Sequence, residues 1–197
     1  MKRTLKYWNL AAVAGAALLG SACGPQINDP AMAQTDDGAP CGPEALIEDG
    51  EDNNNQVIVQ DGRAGYIYTY KDPEGTTVTP AAGSDGGVFE MSPGGVNNSG
   101  YAMRMHGRVA NAQVVYSGMG LNLTDPKDTY DASKYKGVSF YAKRGPNSSS
   151  KVRFKIPDVN TDPDGGQCTN CYIDFGLDMK LTEEWLKFRI RFFKLMQ

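Results

Sequence analysis

Four oxygen-bearing side chains alternate through the stretch KVRFKIPDVNTDPDGGQCTNCYIDFG, residues 151–176. Asp158, Asn160, Asp162 and Asp164 occupy every second position, and Gly165 and Gly166 follow. Hard oxygen ligands beside a sharp turn are what a calcium ion takes. The glycine comes two residues later than in a helix–loop–helix calcium loop, however, and the twelfth position is Thr169 where that loop places a bidentate glutamate. The segment therefore reads either as a calcium site or as a long inter-strand loop braced by Cys168 and Cys171. For that cysteine pair, a disulfide suits an exported chain. Zinc would need two further ligands, with only Cys41 and His106 left to supply them. Haem attachment would need a histidine where Tyr172 stands, and a redox pair belongs at a helix start in an α/β fold.

A second set of residues could bind rather than react. Tyr66, Tyr68 and Tyr70 alternate strictly, so they share one face of a strand. Tyrosine rings stack on the apolar faces of sugars and their hydroxyls bond sugar hydroxyls; tyrosine is also simply a good strand former, half-buried in a sandwich. Arg104 and His106 share the polar face of another alternating stretch, opposite Tyr101, Met103 and Met105, and could hydrogen-bond a polar ligand. His106 as a catalytic base would need a nucleophile, and none is nominated; a surface or satisfied core histidine is the plainer reading. Glu48 and Asp49 open an acidic turn, Glu48–Asp52, that either contributes to calcium binding or is solvated.

The elements that must hold these groups read as short strands. Val152, Phe154 and Ile156 oppose Lys151, Arg153 and Lys155, and Pro157 stops the ladder. In GVSFYAK, residues 137–143, Val138, Phe140 and Ala142 form the apolar face. From Trp185 to Phe193 that face is Leu186, Phe188, Ile190 and Phe192, with a basic stripe of Lys187, Arg189 and Arg191 outside. Further strands are expected at Ala45–Ile47, Val88–Met91, Tyr101–His106 and Val114–Leu123; Gly118 and Gly120 in the last mark a bulge or a close neighbour. Helical periodicity is weak. With 23 glycines, 11 prolines and 10 tyrosines among 197 residues, the composition fits an all-β fold with long loops.

Residues 1–22 have the features of an export signal. Lys2, Arg3 and Lys6 precede an apolar run from Leu10 to Leu19, too short to span a bilayer comfortably. Gly20-Ser21-Ala22 directly before Cys23 resembles a bacterial lipobox, which implies lipidation of Cys23; ordinary cleavage near Ala22 or Ala33 is the alternative. In a two-membrane bacterium, Gly24 then points to an outer-membrane or cell-surface lipoprotein. Residues 23–44 are rich in Pro, Gly, Asp and Ala and read as a flexible tether, with the domain at 45–197. Without 1–22 the formal charge moves from −3 to −6, because three cations and no acid leave. That balance argues against nucleic acid as a partner.

In order, the acidic turn Glu48-Asp49-Gly50, DGRAGYIYTY, SGYAMRMHG, YSGMGLNL, YDASKYKGVSFYAK, VRFKIPDVNTDPDGGQC and TEEWLKFRIRF resemble carbohydrate-binding modules, galactose-binding-like domains of exported bacterial proteins. The resemblance covers about residues 45–193. It implies a jelly-roll β-sandwich of two antiparallel sheets and a structural calcium held by an acidic residue near the first strand, where Glu48 and Asp49 lie. Such domains close with a Trp/Ile-Asp-Asp strand; here the chain ends at Gln197 before one, and a missing strand would leave an edge open to self-association. The function this implies is non-catalytic binding of a polysaccharide or cell-surface glycan, with the membrane engaged only through the lipid. The alternative is a structural or adhesive lipoprotein with a protein or self partner. A glycosidase has no carboxylate pair singled out.

Overall fold

Alternating side chains put one face of each strand into a shared core, and the strands pair to satisfy their backbone groups. The computed structural model describes residues 13–19, 43–83 and 88–195. Cys23, Cys41 and nearly all of the expected tether lie outside the described residues. The strands are β1 (Val13–Leu19), β2 (Ile67–Lys71), β3 (Thr77–Thr79), β4 (Ser92–Pro93), β5 (Tyr101–Ala102), β6 (His106–Arg108), β7 (Ser117–Leu121), β8 (Gly137–Ala142), β9 (Lys151–Ile156), β10 (Phe175–Lys180) and β11 (Leu186–Arg191). The fold is all-β. All the pairings are antiparallel: β1-β8-β11, β10-β9, β2-β7, β3-β6 and β4-β5. No described helix is long and apolar enough to cross a membrane.

The core follows the expected alternation most closely in β8, β9 and β11. Register places Phe188 opposite Phe140, Ile190 opposite Val138 and Leu186 opposite Ala142. Phe140 stacks on Phe188 at 5.7 Å and on Phe154 of β9 at 5.5 Å, joining the two sheets through one ring. Stacking of this kind adds about 0.5–1.5 kcal/mol per pair beyond area burial. Val152 and Phe154 face Met179 and Leu177 across the β9–β10 ladder. On the other face of β8 and β11, Lys187 lies over Tyr141 and Lys143 over Trp185, so the basic stripe is partly laid on aromatic rings.

Three expected strands differ from the structure. Tyr101–His106 is split between β5 and β6, because Ala102, Met103 and Met105 are all buried and a straight strand cannot turn consecutive residues into one core. Val88–Met91 is not a strand; Phe89 and Met91 are buried from an irregular segment. Ala45 ends a short 3-10 turn, Pro43–Ala45, and Ala45–Ile47 does not form a strand. β11 ends at Arg191, and a 3-10 turn, Phe192–Lys194, leaves Phe193 exposed.

Two buried polar groups tie the loops down. Arg63 donates to the Glu44 and Leu46 carbonyls at 2.5 and 2.9 Å, to the Tyr130 hydroxyl at 2.9 Å and to Asp61 at 3.1 Å. Asp61 also accepts from Tyr130, Tyr135 and Lys134, which holds its carboxyl below the usual range. Asp72 accepts from Thr76 Oγ1 at 2.5 Å and from the Glu74 and Tyr116 amides at 2.8 Å each, anchoring the approach to β7 beside the end of β2.

Candidate functional site

The three tyrosines sit where alternation puts them. Ile67 and Thr69 are buried, while Tyr66 and Tyr70 are exposed and Tyr68 is half-buried between them. Ring centroids step by 6.0 Å from Tyr66 to Tyr68 and by 6.3 Å from Tyr68 to Tyr70, and a fourth ring, Tyr116, follows at 6.4 Å. What makes the row a platform is the partner strand. Tyr68 is registered opposite Gly120 and Tyr70 opposite Gly118. A Cβ on Gly118 would lie 2.3 Å from the Tyr70 hydroxyl, and one on Gly120 would lie 2.7 Å from the Tyr68 ring. The rings therefore lie across bare backbone rather than standing off the sheet. Neighbouring rings are tilted to one another by 59°, 44° and 42° along the row.

Burial raises the phenol pKa of both Tyr68 and Tyr70. Neighbouring phenols and the Asp174 carboxylate add to the effect, and for Tyr68 Asp162 adds to it while Lys127 opposes it. Both hydroxyls stay protonated at neutral pH and can donate and accept. The same couplings place Lys127, Asp162 and Asp174 around the row. Lys127 reaches Asp162 at 2.7 Å and Asp164 at 2.8 Å. Burial works against its charge, but the two carboxylates outweigh that and raise its pKa. Burial likewise opposes ionisation of Asp162, and the Lys127 contact overcomes it, so its carboxyl is lowered. Lys155 pairs with Asp174 at 2.5 Å. The cations beside the ladder are thus matched by carboxylates.

The acidic loop has partners within the chain. Asp162 caps the 3-10 turn Pro163–Gly165 by accepting from the Asp164 amide at 2.9 Å. Asp158 accepts from the Asn160 amide and side chain at 2.9 and 3.2 Å. Cys168 and Cys171 form a disulfide, and the Tyr172 amide donates to the Thr161 carbonyl at 2.7 Å, closing the loop on itself. Glu48 lies apart from this loop. It is 1% exposed, its Oε1 accepts from the Gly50 amide at 2.6 Å, and its Oε2 has no hydrogen-bond partner. Asp49 accepts from the Glu51 amide at 3.0 Å. An orphaned buried oxygen suits a cation, but no group of three or more His, Cys, Asp or Glu is gathered among the described residues. One free carboxylate oxygen falls short of the roughly six to eight oxygens calcium takes.

Arg104 is exposed and His106 half-buried at the start of β6. Neither side chain has a hydrogen bond, ion pair or ring contact with the tyrosine row among the described residues. Sequence reading missed Tyr116, Lys127, Asp174 and the role of Gly118 and Gly120. The spacing signal existed, since two glycines alternate in SGMGL as two tyrosines do in YTY, but their register was needed to join them. A cleft of about 470 Å³ adjoins Tyr66 at the head of the row.

Compared with known proteins, the chain matches no family model, no curated protein and no solved structure.

Proposed function

We propose that this protein binds a polysaccharide without turning it over, through the Tyr66–Tyr68–Tyr70–Tyr116 row. The observation that carries this reading is the seating of Tyr68 and Tyr70 on Gly120 and Gly118. A solvated tyrosine strand has no need of glycine opposite each ring, whereas a stacking platform does. A row of four rings at about 6 Å steps supports contact with successive units of an extended chain. The phenols and the flanking Asp162–Lys127 and Asp174–Lys155 pairs offer hydrogen bonds around its edge. On this reading the domain is a jelly-roll β-sandwich carried on the cell surface by lipidated Cys23, a view supported by the leader sequence. Calorimetric titration against soluble neutral and acidic polysaccharides tests it. Binding that Tyr70→Ala weakens up to about tenfold is expected, from loss of roughly 0.5–1.5 kcal/mol of ring stacking. No heat with any polysaccharide would overturn it.

A second reading is self-association. The edge of β8 away from β11 is paired with β1, inside the expected leader. Removal of 1–22 takes β1 away and opens that edge unless another segment covers it. Light scattering on residues 23–197 separates the two readings: a monomer at every concentration counts against association through β8.

A further inference from the structure

We infer that the cleft at Tyr66 is a second sugar subsite, taking one uncharged sugar unit by hydrogen bonds where the ladder takes its neighbours by stacking; this rests on the polysaccharide-binding reading. The open cleft, of about 470 Å³, is lined by Asn54, Asn55, Gln56, Tyr66 and Asp125 together with Ala64 and Gly65. Tyr66 belongs to both features, so a sugar stacked on Tyr66 borders the cleft.

The walls are pre-formed by backbone. Gln56 bridges Tyr66, the Val57 amide donates to the Gly65 carbonyl at 3.0 Å, and the Ile67 amide donates to the Asn55 carbonyl at 2.7 Å. The Asn122 amide donates to the Tyr66 carbonyl at 2.9 Å, and the Ala64 amide donates to the Leu123 carbonyl at 3.1 Å. Glycine is required at 65, where a Cβ would sit 2.0 Å from the Asn122 carbonyl oxygen. This close approach brings the 122–125 segment, and with it Asp125, against the wall that carries Tyr66.

The lining reads hydroxyls. Asn54 Oδ1 accepts from the Gln56 amide at 2.6 Å, which stiffens the turn and leaves the Asn54 Nδ2 group free. The Asn55 side chain reaches the Ile67 carbonyl only at 3.5 Å. The Gln56 side-chain amide and the Asp125 carboxylate have no partner among the described residues. Three amides and one carboxylate supply both donors and acceptors, as sugar hydroxyls need. Asp125 is the only charged group in the lining; a uronate or sulfated unit would place like charge beside it, so the subsite discriminates against acidic sugars.

The test is calorimetry on the full chain with disaccharides and hexasaccharides cut from a neutral glucan, mannan and xylan, and with an oligogalacturonate. Gln56→Ala removes an exposed side chain that holds no structural contact, and Tyr70→Ala serves as the ladder control. Gln56→Ala is expected to weaken hexasaccharide binding about three- to tenfold, the loss of one or two hydrogen bonds, and to leave the disaccharide unchanged. Tyr70→Ala weakens both lengths. Tighter binding of oligogalacturonate than of every neutral ligand overturns the uncharged class. If Gln56→Ala leaves every affinity unchanged while Tyr70→Ala lowers them, the subsite is wrong and the ladder stands. If neither variant changes binding, or nothing binds, both readings fail.

Discussion

Replacing Glu48 with glutamine should make the protein more stable at pH 8 and change little at pH 5. Glu48 is 1% exposed, one oxygen receives the Gly50 amide at 2.6 Å, and the other has no partner. Burial pushes its pKa up from 4.5 to about 7; the Gly50 amide opposes this, and the Asp52 and Asp49 charges reinforce it. The folded state therefore holds this proton more tightly than the unfolded chain. The stabilising contribution of the protonated form is complete below about pH 4.5 and is lost as pH rises through about 7. At about 1.36 kcal/mol per pH unit the rise is worth roughly 3 kcal/mol, which screening by the exposed turn around Glu51 and Asp52 reduces to about 1–2 kcal/mol. The carboxyls of Asp61, Asp72 and Asp162 are lowered instead, so their contributions are constant across this window and fall away only in stronger acid. Urea denaturation at pH 5 and pH 8 in the presence of a chelator measures the effect. Wild-type stability should fall between the two, while Glu48→Gln stays level. A wild type that gains stability from pH 5 to pH 8, or a Glu48→Gln variant weaker than wild type at pH 8, would refute the reasoning. Adding calcium at pH 8 extends the test: stabilisation of the wild type but not of Glu48→Gln would mean that an ion completes the Glu48 Oε2 shell.

Gly118→Ala should displace the Tyr70 ring, because the new Cβ would fall 2.3 Å from its hydroxyl; the ring is 40% exposed and can swing aside, so stability should change by less than about 1 kcal/mol while polysaccharide binding weakens, and unaltered binding would show that the ring is not seated there. Asp72→Ala leaves the buried Thr76 hydroxyl and the part-buried Tyr116 and Glu74 amides without their acceptor, which should cost about 2–3 kcal/mol. Burial opposes ionisation of Asp72, but those three hydrogen bonds outweigh it and lower the carboxyl; its contribution is therefore present above the unfolded value and lost in acid, and Asp72→Asn should flatten that acid limb. Reducing Cys168–Cys171, a sequence separation of 3, should cost at most about 2 kcal/mol for so short a loop; hydrogen exchange should speed up in residues 158–172 and remain slow in β8 and β11.

The strands that alternate cleanly were legible from residues alone. β8, β9 and β11 face the core with the side chains their period-two pattern nominates, because strand periodicity is a local property that ladder pairing does not alter. That Tyr66, Tyr68 and Tyr70 share a face followed for the same reason, and so did the nearness of Cys168 and Cys171. What stayed hidden depended on which strand lies beside which. Met103 and Met105 read as one side of a continuous strand, yet the chain breaks between β5 and β6 so that Ala102 is buried as well. Asp162 and Asp164 read as calcium ligands or as part of a long inter-strand loop, and nothing in that spacing pointed to Lys127, 35 and 37 residues away in sequence, which reaches both. Gly118 and Gly120 read as a bulge or a close neighbour, and only the β2–β7 register showed that Tyr70 and Tyr68 are the neighbours. Alternation is set by the backbone of each segment, whereas register and loop closure are set by the collective burial of Phe140, Phe154, Phe188 and their neighbours, and only that packing decides which distant residues share a surface.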